Sequence, residues 1–439
     1  MKIFISFKKS MLLLMAATAF FSACNKLELE PTPAEQPTQE TSPTLTSLLD
    51  NPDFSILKAA MEKAGTFSSS PSLLTLLSSP TERYTFFAPD DAAFARSGIP
   101  SAAALAFFSA GALDTALRCH VIPQSIPAAS ISTGFPNFQY PTLFNPAPSI
   151  NALLRLTIFP SARPGTGAWV NNIPITQTDI QAVNGVLHKV YAVVMPPSAD
   201  LFTSISNDAE LNYLEAAIQR ADSGVAAGGR LRDAIDLSVN PLAIASNLTV
   251  FAPTDAAMKT FLTGAITQAL IAKGFPAATA QAGATAIVAN TGTLLLSNPA
   301  LIPDIPGIPV AGLGPQLAAV ITPDLAKAIV AYHIISSQSG TYAPPGLRIF
   351  SVNAPTTATQ LKTLLMPAAP LLVTDPLVTV QATFVPGQPF VGALTVKGIG
   401  NTTASNVLIS LTPPFKSDLN TINGVIHKID QVLLPPPRR

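Results

Sequence analysis

The chain has 439 residues, enough for two to four domains at about 100–200 residues each. Only 11% of residues are charged and the net charge is zero, which argues against a nucleic-acid binder with its basic face. A hydrophobic share of 48% excludes disorder of the whole chain, and two cysteines exclude a disulfide framework.

The 42 prolines, about twice the usual share, argue against long uninterrupted helices, because proline lacks the N–H and clashes inside a helix. The N-terminus carries Lys2, Lys8 and Lys9 and then an apolar run at 11–21, the pattern of an export signal. Eleven residues are too few to cross a bilayer, which takes about 20. Phe21-Ser22-Ala23-Cys24 resembles the lipobox of bacterial lipoproteins, with Phe21 where Leu is usual. That resemblance implies a signal peptide at 1–23 and a lipidated Cys24. Cleavage removes three lysines and no acid, leaving 22 cations against 25 acids. With no later stretch apolar enough to span a membrane, lipid becomes the expected attachment. Residues 24–43 then hold the anchor and a Pro-, Thr- and acid-rich tether. Fully stretched, 25–43 would reach about 60 Å at roughly 3.3 Å per residue.

Beyond the tether the chain repeats itself. Phe54, Leu57, Met61 and Ala64 lie on one helical face, and Leu211, Leu214, Ile218 and Ala221 repeat that face at an offset of 157. Phe87-Ala88-Pro89-Asp90-Asp91-Ala92-Ala93-Phe94 returns as Phe251-Ala252-Pro253-Thr254-Asp255-Ala256-Ala257-Met258. Cys119-His120-Val121-Ile122 returns as Tyr332-His333-Ile334-Ile335. Asn184-Gly185-Val186-Leu187-His188-Lys189 returns as Asn423-Gly424-Val425-Ile426-His427-Lys428, and each copy ends in a proline pair. Two tandem domains are expected, at 44–198 and 199–439. Pro89 to His120 spans 31 residues but Pro253 to His333 spans 80, so the second copy carries an insertion, placed near 264–322. That Ala-, Gly- and Pro-rich segment is expected to extend from the common fold as helix and loop.

Tyr84 to Phe87 reads as a short strand ended by Pro89, with Asp90 or Asp91 capping the following helix. Thr254-Asp255 repeats the arrangement. Asn184-Gly185 and Asn423-Gly424 signal hairpins with type I′ turns. All four histidines fall in the repeated blocks, at an apolar helix end or within an apolar strand. They read as buried residues tying helix to sheet by hydrogen bonds. Cys119 reads as a small core residue. No Gly-x-Ser-x-Gly, His-Glu-x-x-His or Cys-x-x-Cys pattern occurs, so neither nucleophilic catalysis nor a metal site is indicated.

Taken together, these blocks resemble the fasciclin (FAS1, β-Ig-H3/fasciclin) domain family over nearly all of 44–436. The resemblance implies an α+β fold with two tandem domains. Each would be a wedge-like β-sandwich flanked by helices, the second enlarged by insertions. It implies adhesion or ligand presentation at a cell surface, with no enzymatic activity and no cofactor. In animal members the Tyr-His region is associated with integrin binding, which by position carries to Tyr332 and His333. The remaining motif positions, Pro89, Asp91, His120, Asn184, Gly185, His188, Pro253, Asp255, Asn423, Gly424 and His427, are expected to be structural.

The expected protein is therefore anchored by lipid in a bacterial envelope, in or on the outer membrane. Its expected ligand is an extracellular protein or matrix. Polysaccharide binding is the alternative, with Trp169 and the cluster Phe135, Phe138, Tyr140 as stacking candidates. A hydrolase using His with Ser or Asp is the third reading.

Overall fold

The computed structural model describes residues 42–67, 71–136, 138–308, 310–338, 347–365, 376–385, 388, 390–410 and 414–436. Cys24, the expected signal segment and nearly all of the expected tether lie outside these.

The first copy starts with helices Leu45–Leu48, Ser55–Ala64 and Leu73–Ser78. Strand β1 (Tyr84–Pro89) leads into helix Asp91–Arg96, then helix Ala110–Cys119 and strand β2 (Val121–Ile122). Strands β3 (Tyr140–Pro141), β4 (Thr157–Ile158), β5 (Pro160–Arg163), β6 (Gly167–Val170), β7 (Ile173–Ala182) and β8 (Gly185–Val190) follow. The second copy repeats the order. Helices Leu201–Ser206, Asn212–Ala221 and Arg232–Ile235 precede β9 (Leu248–Pro253). Helix Asp255–Ala272 then opens a helical block that closes with Pro323–Tyr332. Strands β10 (Ile334–Gln338), β11 (Thr359–Thr363), β12 (Leu377–Phe384), β13 (Val391–Gly398), β14 (Ser405–Asn406), β15 (Leu419–Thr421) and β16 (Gly424–Ile429) complete it.

Among the described residues, each copy holds one continuous main sheet. The first is ordered β2-β1-β8-β7-β6-β5 and the second β14-β13-β12-β11-β10-β9-β16-β15. Inside each, one strand in from an edge, the first strand of the copy pairs in parallel with the last. Tyr84 sits opposite Gly185 and Pro89 opposite Val190, so Pro89 is the last rung of the ladder. Leu248 and Pro253 face Gly424 and Ile429 in the same register. Parallel central strands are covered on both faces, which explains their unbroken burial.

Side chains alternate between two cores. In the first copy Tyr84, Phe86 and Ala88 meet the helices, while Phe87 meets Ile158, Val170 and Val190 inside the curl of the sheet. In the second copy Leu248, Val250 and Ala252 face helices, and Phe251 joins Val378, Val380, Leu394 and Val396. Each fold is thus α+β, a curled sheet forming a wedge with helices on its outer face.

The segment near 264–322 does not project from this frame. Helix Ala277–Thr291 and helix Leu313–Val320 contribute Ile287, Leu313 and Leu317 to the same core as Leu214, Ile218 and Val250. Buried Leu, Ile or Phe side chains contribute about 1.5–3 kcal/mol each, so the insertion thickens the helical layer.

The hairpins form at both Asn-Gly pairs, but not as type I′ turns. Ala182 pairs with Gly185 and Thr421 with Gly424, which makes Val183-Asn184 and Ile422-Asn423 the turn residues. None of the four adopts positive φ. The glycines serve a different need. A Cβ on Gly185, at φ +146°, would collide with the Tyr84 carbonyl of the parallel neighbour, and one on Gly424 would lie 2.5 Å from the Leu248 oxygen.

The copies are not sealed off from each other. Pro43–Arg439 form a single compact unit. Phe159 and Trp169 of the first copy sit in the core built by Phe251, Tyr332, Phe350 and β11–β13 of the second.

Candidate functional site

The repeated motif residues build one internal frame twice. Asp90 caps its own helix by accepting from the Ala93 amide at 2.8 Å, as Thr254 does from Ala257 at 3.3 Å. The second acid reaches another helix. Asp91 accepts from the Ile56 amide at 2.8 Å and the Ser55 hydroxyl at 2.6 Å. Asp255 accepts from the Tyr213 amide at 2.9 Å and from Asn212 at 3.0 Å. Each Asp thus satisfies free amides at the start of the amphipathic helix and meets its positive dipole end.

Asn184 and Asn423 are buried clips. Asn184 accepts from the Leu45 amide at 2.8 Å and donates to the carbonyls of Leu77 at 2.7 Å and Ser79 at 3.0 Å. Asn423 accepts from the Leu201 amide at 2.9 Å and donates to Ile235 at 3.2 Å. The lysine after each histidine reaches an acid near the amphipathic helix: Lys189 pairs with Asp53 at 2.8 Å, Lys428 with Asp208 at 2.6 Å and Glu210 at 2.9 Å.

All four histidines are fully buried. His120 donates from Nδ1 to the Ala116 carbonyl at 2.8 Å, and its Nε2 accepts from the Val194 amide at 2.8 Å. His333 repeats this with Ile329 at 2.7 Å and Leu433 at 2.8 Å. His188 has the opposite tautomer: Nε2 donates to Ile126 at 2.9 Å and Nδ1 accepts from the Asp179 amide at 3.2 Å. His427 copies it with Ile349 at 2.7 Å and Asp418 at 3.2 Å. A ring that accepts from an amide must be neutral at that nitrogen. Burial pushes His120 and His333 down to about 4 and lowers His188 as well. Asp179 and Asp418, the amide donors, hold φ of 61° and 56°. No sequence motif marked these two residues.

Tyr332 and His333, the expected partner contacts, do not reach the surface. Tyr332 is fully buried, donates its hydroxyl to Leu377 at 2.5 Å and accepts from the Ile399 amide at 2.9 Å. Burial raises its pKa to about 12. In this conformation both side chains are occupied by the scaffold, so a direct contact through them has no accessible atoms. Cys119 occupies the equivalent of Tyr332 and is also buried, which pushes its thiol up. Among the described residues no three of His, Cys, Asp and Glu come together as metal ligands.

Of the aromatic candidates, Trp169 is fully buried between the copies and cannot stack on a ligand. Phe138 is 67% exposed, while Phe135 and Tyr140 are half-buried and belong to different apolar clusters. Phe107 and Leu153 are the most exposed large apolar side chains of the first copy, at 91% and 84%.

The junction between the copies is polar at its edge. Asn247 donates to Gln139 at 2.8 Å across it. Arg348 is buried with no carboxylate partner among the described residues. Its Nη groups donate to Asn420, Thr421, Asn247 and Ile422 between 2.8 and 3.1 Å, and its guanidinium lies 5.3 Å from the Phe159 ring. Burial lowers its pKa to about 9. Arg163 of the first copy donates to the carbonyls of Val352, at 2.9 Å, and Ala354 of the second. Sequence reading missed both arginines, since neither lies in a repeated block.

The fasciclin-domain family model matches residues 52–196. A solved structure, the FAS1 domain pair of the insect cell adhesion molecule fasciclin I, is similar at 13% identity and a TM-score of 0.30, over 86% of this chain and 95% of that one. No curated protein matches.

Proposed function

We propose, from the match of residues 52–196 to the fasciclin-domain family model, that the protein is a surface-anchored adhesion or ligand-presenting lipoprotein. It is tethered through a lipidated Cys24 to a bacterial envelope membrane, in or on the outer membrane. It holds two fasciclin-like copies away from that membrane to bind an extracellular protein or matrix.

The family match over 52–196 carries this reading. The second copy supports it, because it repeats the same acids, asparagine clip and histidine bonds. With those polar groups spent inside the scaffold, binding falls to surface loops and to the junction. The protein is read as non-catalytic for the same reason: the histidines a hydrolase would use are turned onto backbone atoms. No helix among the described residues is long and apolar enough to cross a membrane, so the anchor assigned to Cys24 carries the attachment. The polysaccharide alternative loses Trp169 as a stacking platform and keeps the polar junction.

The test joins anchoring to binding. Mass spectrometry of the mature N-terminal peptide should find an acylated Cys24 and no residues 1–23. Cys24→Ser should move the protein out of the membrane fraction or block its processing. The purified wild-type chain should retain at least one partner in a solid-phase screen of matrix proteins and polysaccharides. An unmodified N-terminus elsewhere in the chain sinks the anchor, and an empty screen sinks the binding role.

A further inference from the structure

An open cleft of about 360 Å³ lies between the two copies, walled by 132–135 and β5 on one side and 352–359 on the other. That volume falls within the roughly 300–1,000 Å³ of small-molecule sites. No carboxylate lines it and one cation does. This is Arg163, whose Nε and Nη2 hold the Val352 and Ala354 carbonyls while its guanidinium stacks 4.0 Å from the Phe384 ring. Two of its five N–H donors are used there. No carboxylate forms an ion pair with it among the described residues.

Ser161 lies two residues earlier on the same face of β5. It is 5% exposed and lines the cleft, and its hydroxyl has no hydrogen-bond partner among the described residues. Buried hydroxyls are normally paired, so one left open against a cleft marks a position for a ligand atom. Thr356 and Thr357 add exposed hydroxyls on the opposite wall.

We infer that this cleft binds an acidic sugar unit, a uronate. Its carboxylate takes the remaining Nη1 and Nη2 donors of Arg163, and its ring hydroxyls pair with Ser161 and the threonines. A single guanidinium matches one negative charge, and side-chain hydroxyls match a polyol. A neutral sugar leaves the cation unused, and phosphate leaves most of the hydroxyl lining unused. The site gives the polysaccharide alternative a specific form and rests on that reading, not on the adhesion one.

Calorimetric titration of the full chain in detergent tests it, with galacturonic acid, galactose and inorganic phosphate as probes. Galacturonate is expected to bind, with galactose and phosphate each at least about tenfold weaker, since a charge-assisted hydrogen bond is lost or the hydroxyl contacts are missing. Ser161→Ala removes a hydroxyl that holds nothing among the described residues. It should leave the melting temperature unchanged and weaken galacturonate by about threefold to tenfold. Arg163→Gln should abolish binding. No binding of any probe, equal binding of galactose or phosphate, or undiminished affinity in a folded Ser161→Ala protein overturns the site. Because no cell surface or protein partner enters the experiment, its failure leaves the adhesion reading standing.

Discussion

Each histidine spends both ring nitrogens on backbone atoms, and that fixes how the protein should respond to acid. His120 and His333 titrate near 4 when folded, against about 6.5 in an unfolded chain. Between those values the unfolded chain binds protons that the folded one refuses. Stability therefore falls as pH drops from about 6.5 towards 4, by roughly 3 kcal/mol for each of the two, and this contribution levels off below. A melting temperature followed from pH 7 to pH 4 should decline steadily across that window; a flat profile would mean the imidazoles are accessible or already charged. Burial of these residues was legible, because each adjoins an apolar helix end or strand. Their partners were not. The amides that meet His188 and His427 belong to Asp179 and Asp418, nine residues away at positive φ, and no local pattern announces that conformation. Tyr332 failed as a surface candidate for a related reason: sequence position gives no direction for a side chain, and this one points into the second curl.

Local chemistry shaped the elements in ways the motifs only half disclosed. Asp90 and Asp91 were both legible as cap residues, yet Asp91 caps a helix 35 residues upstream. Its partner is set by packing between elements, which spacing along the chain does not encode. The Asn-Gly pairs marked the hairpins correctly but for another reason. Gly185 is required by close approach of the parallel strand β1, a non-local pairing between the ends of one copy. Gly185→Ala should therefore cost about 3 kcal/mol or more, through a forced shift of the central strands. Gly98→Ala provides the control, since its added Cβ meets nothing within 4 Å and only its positive φ is strained. Denaturant titration of both variants separates the two effects; equal losses would show that φ alone, and not the Tyr84 carbonyl, demands glycine at 185. The insertion was legible as extra chain. Its contribution to the core was not, because large residues such as Ile287, Leu313 and Leu317 are spread among Ala, Gly and Pro, and no single apolar stripe marks which side chains pack inward.

For the chain as one body, the repeated blocks disclosed two copies and their order, while the surface between them stayed hidden. Trp169 was a stacking candidate beside Phe135, Phe138 and Tyr140, with a core role the stronger reading, and it does fill a core, one that the first copy shares with the second. Arg163 and Arg348 stand at that junction outside every repeated block, so no comparison of the copies could have found them. The shared core fixes one copy against the other and presents their loops as one surface. Under the proposed function this surface faces outward and binds. The most direct measurement is adhesion of intact cells to panels of matrix proteins and polysaccharides, before and after brief protease treatment that leaves the cells sealed. Shaving is expected to remove the protein and, with it, attachment to at least one panel member, and cells carrying Cys24→Ser are expected to fail to attach there from the outset. Full protection of the protein on sealed cells, with attachment unchanged by shaving, would contradict it.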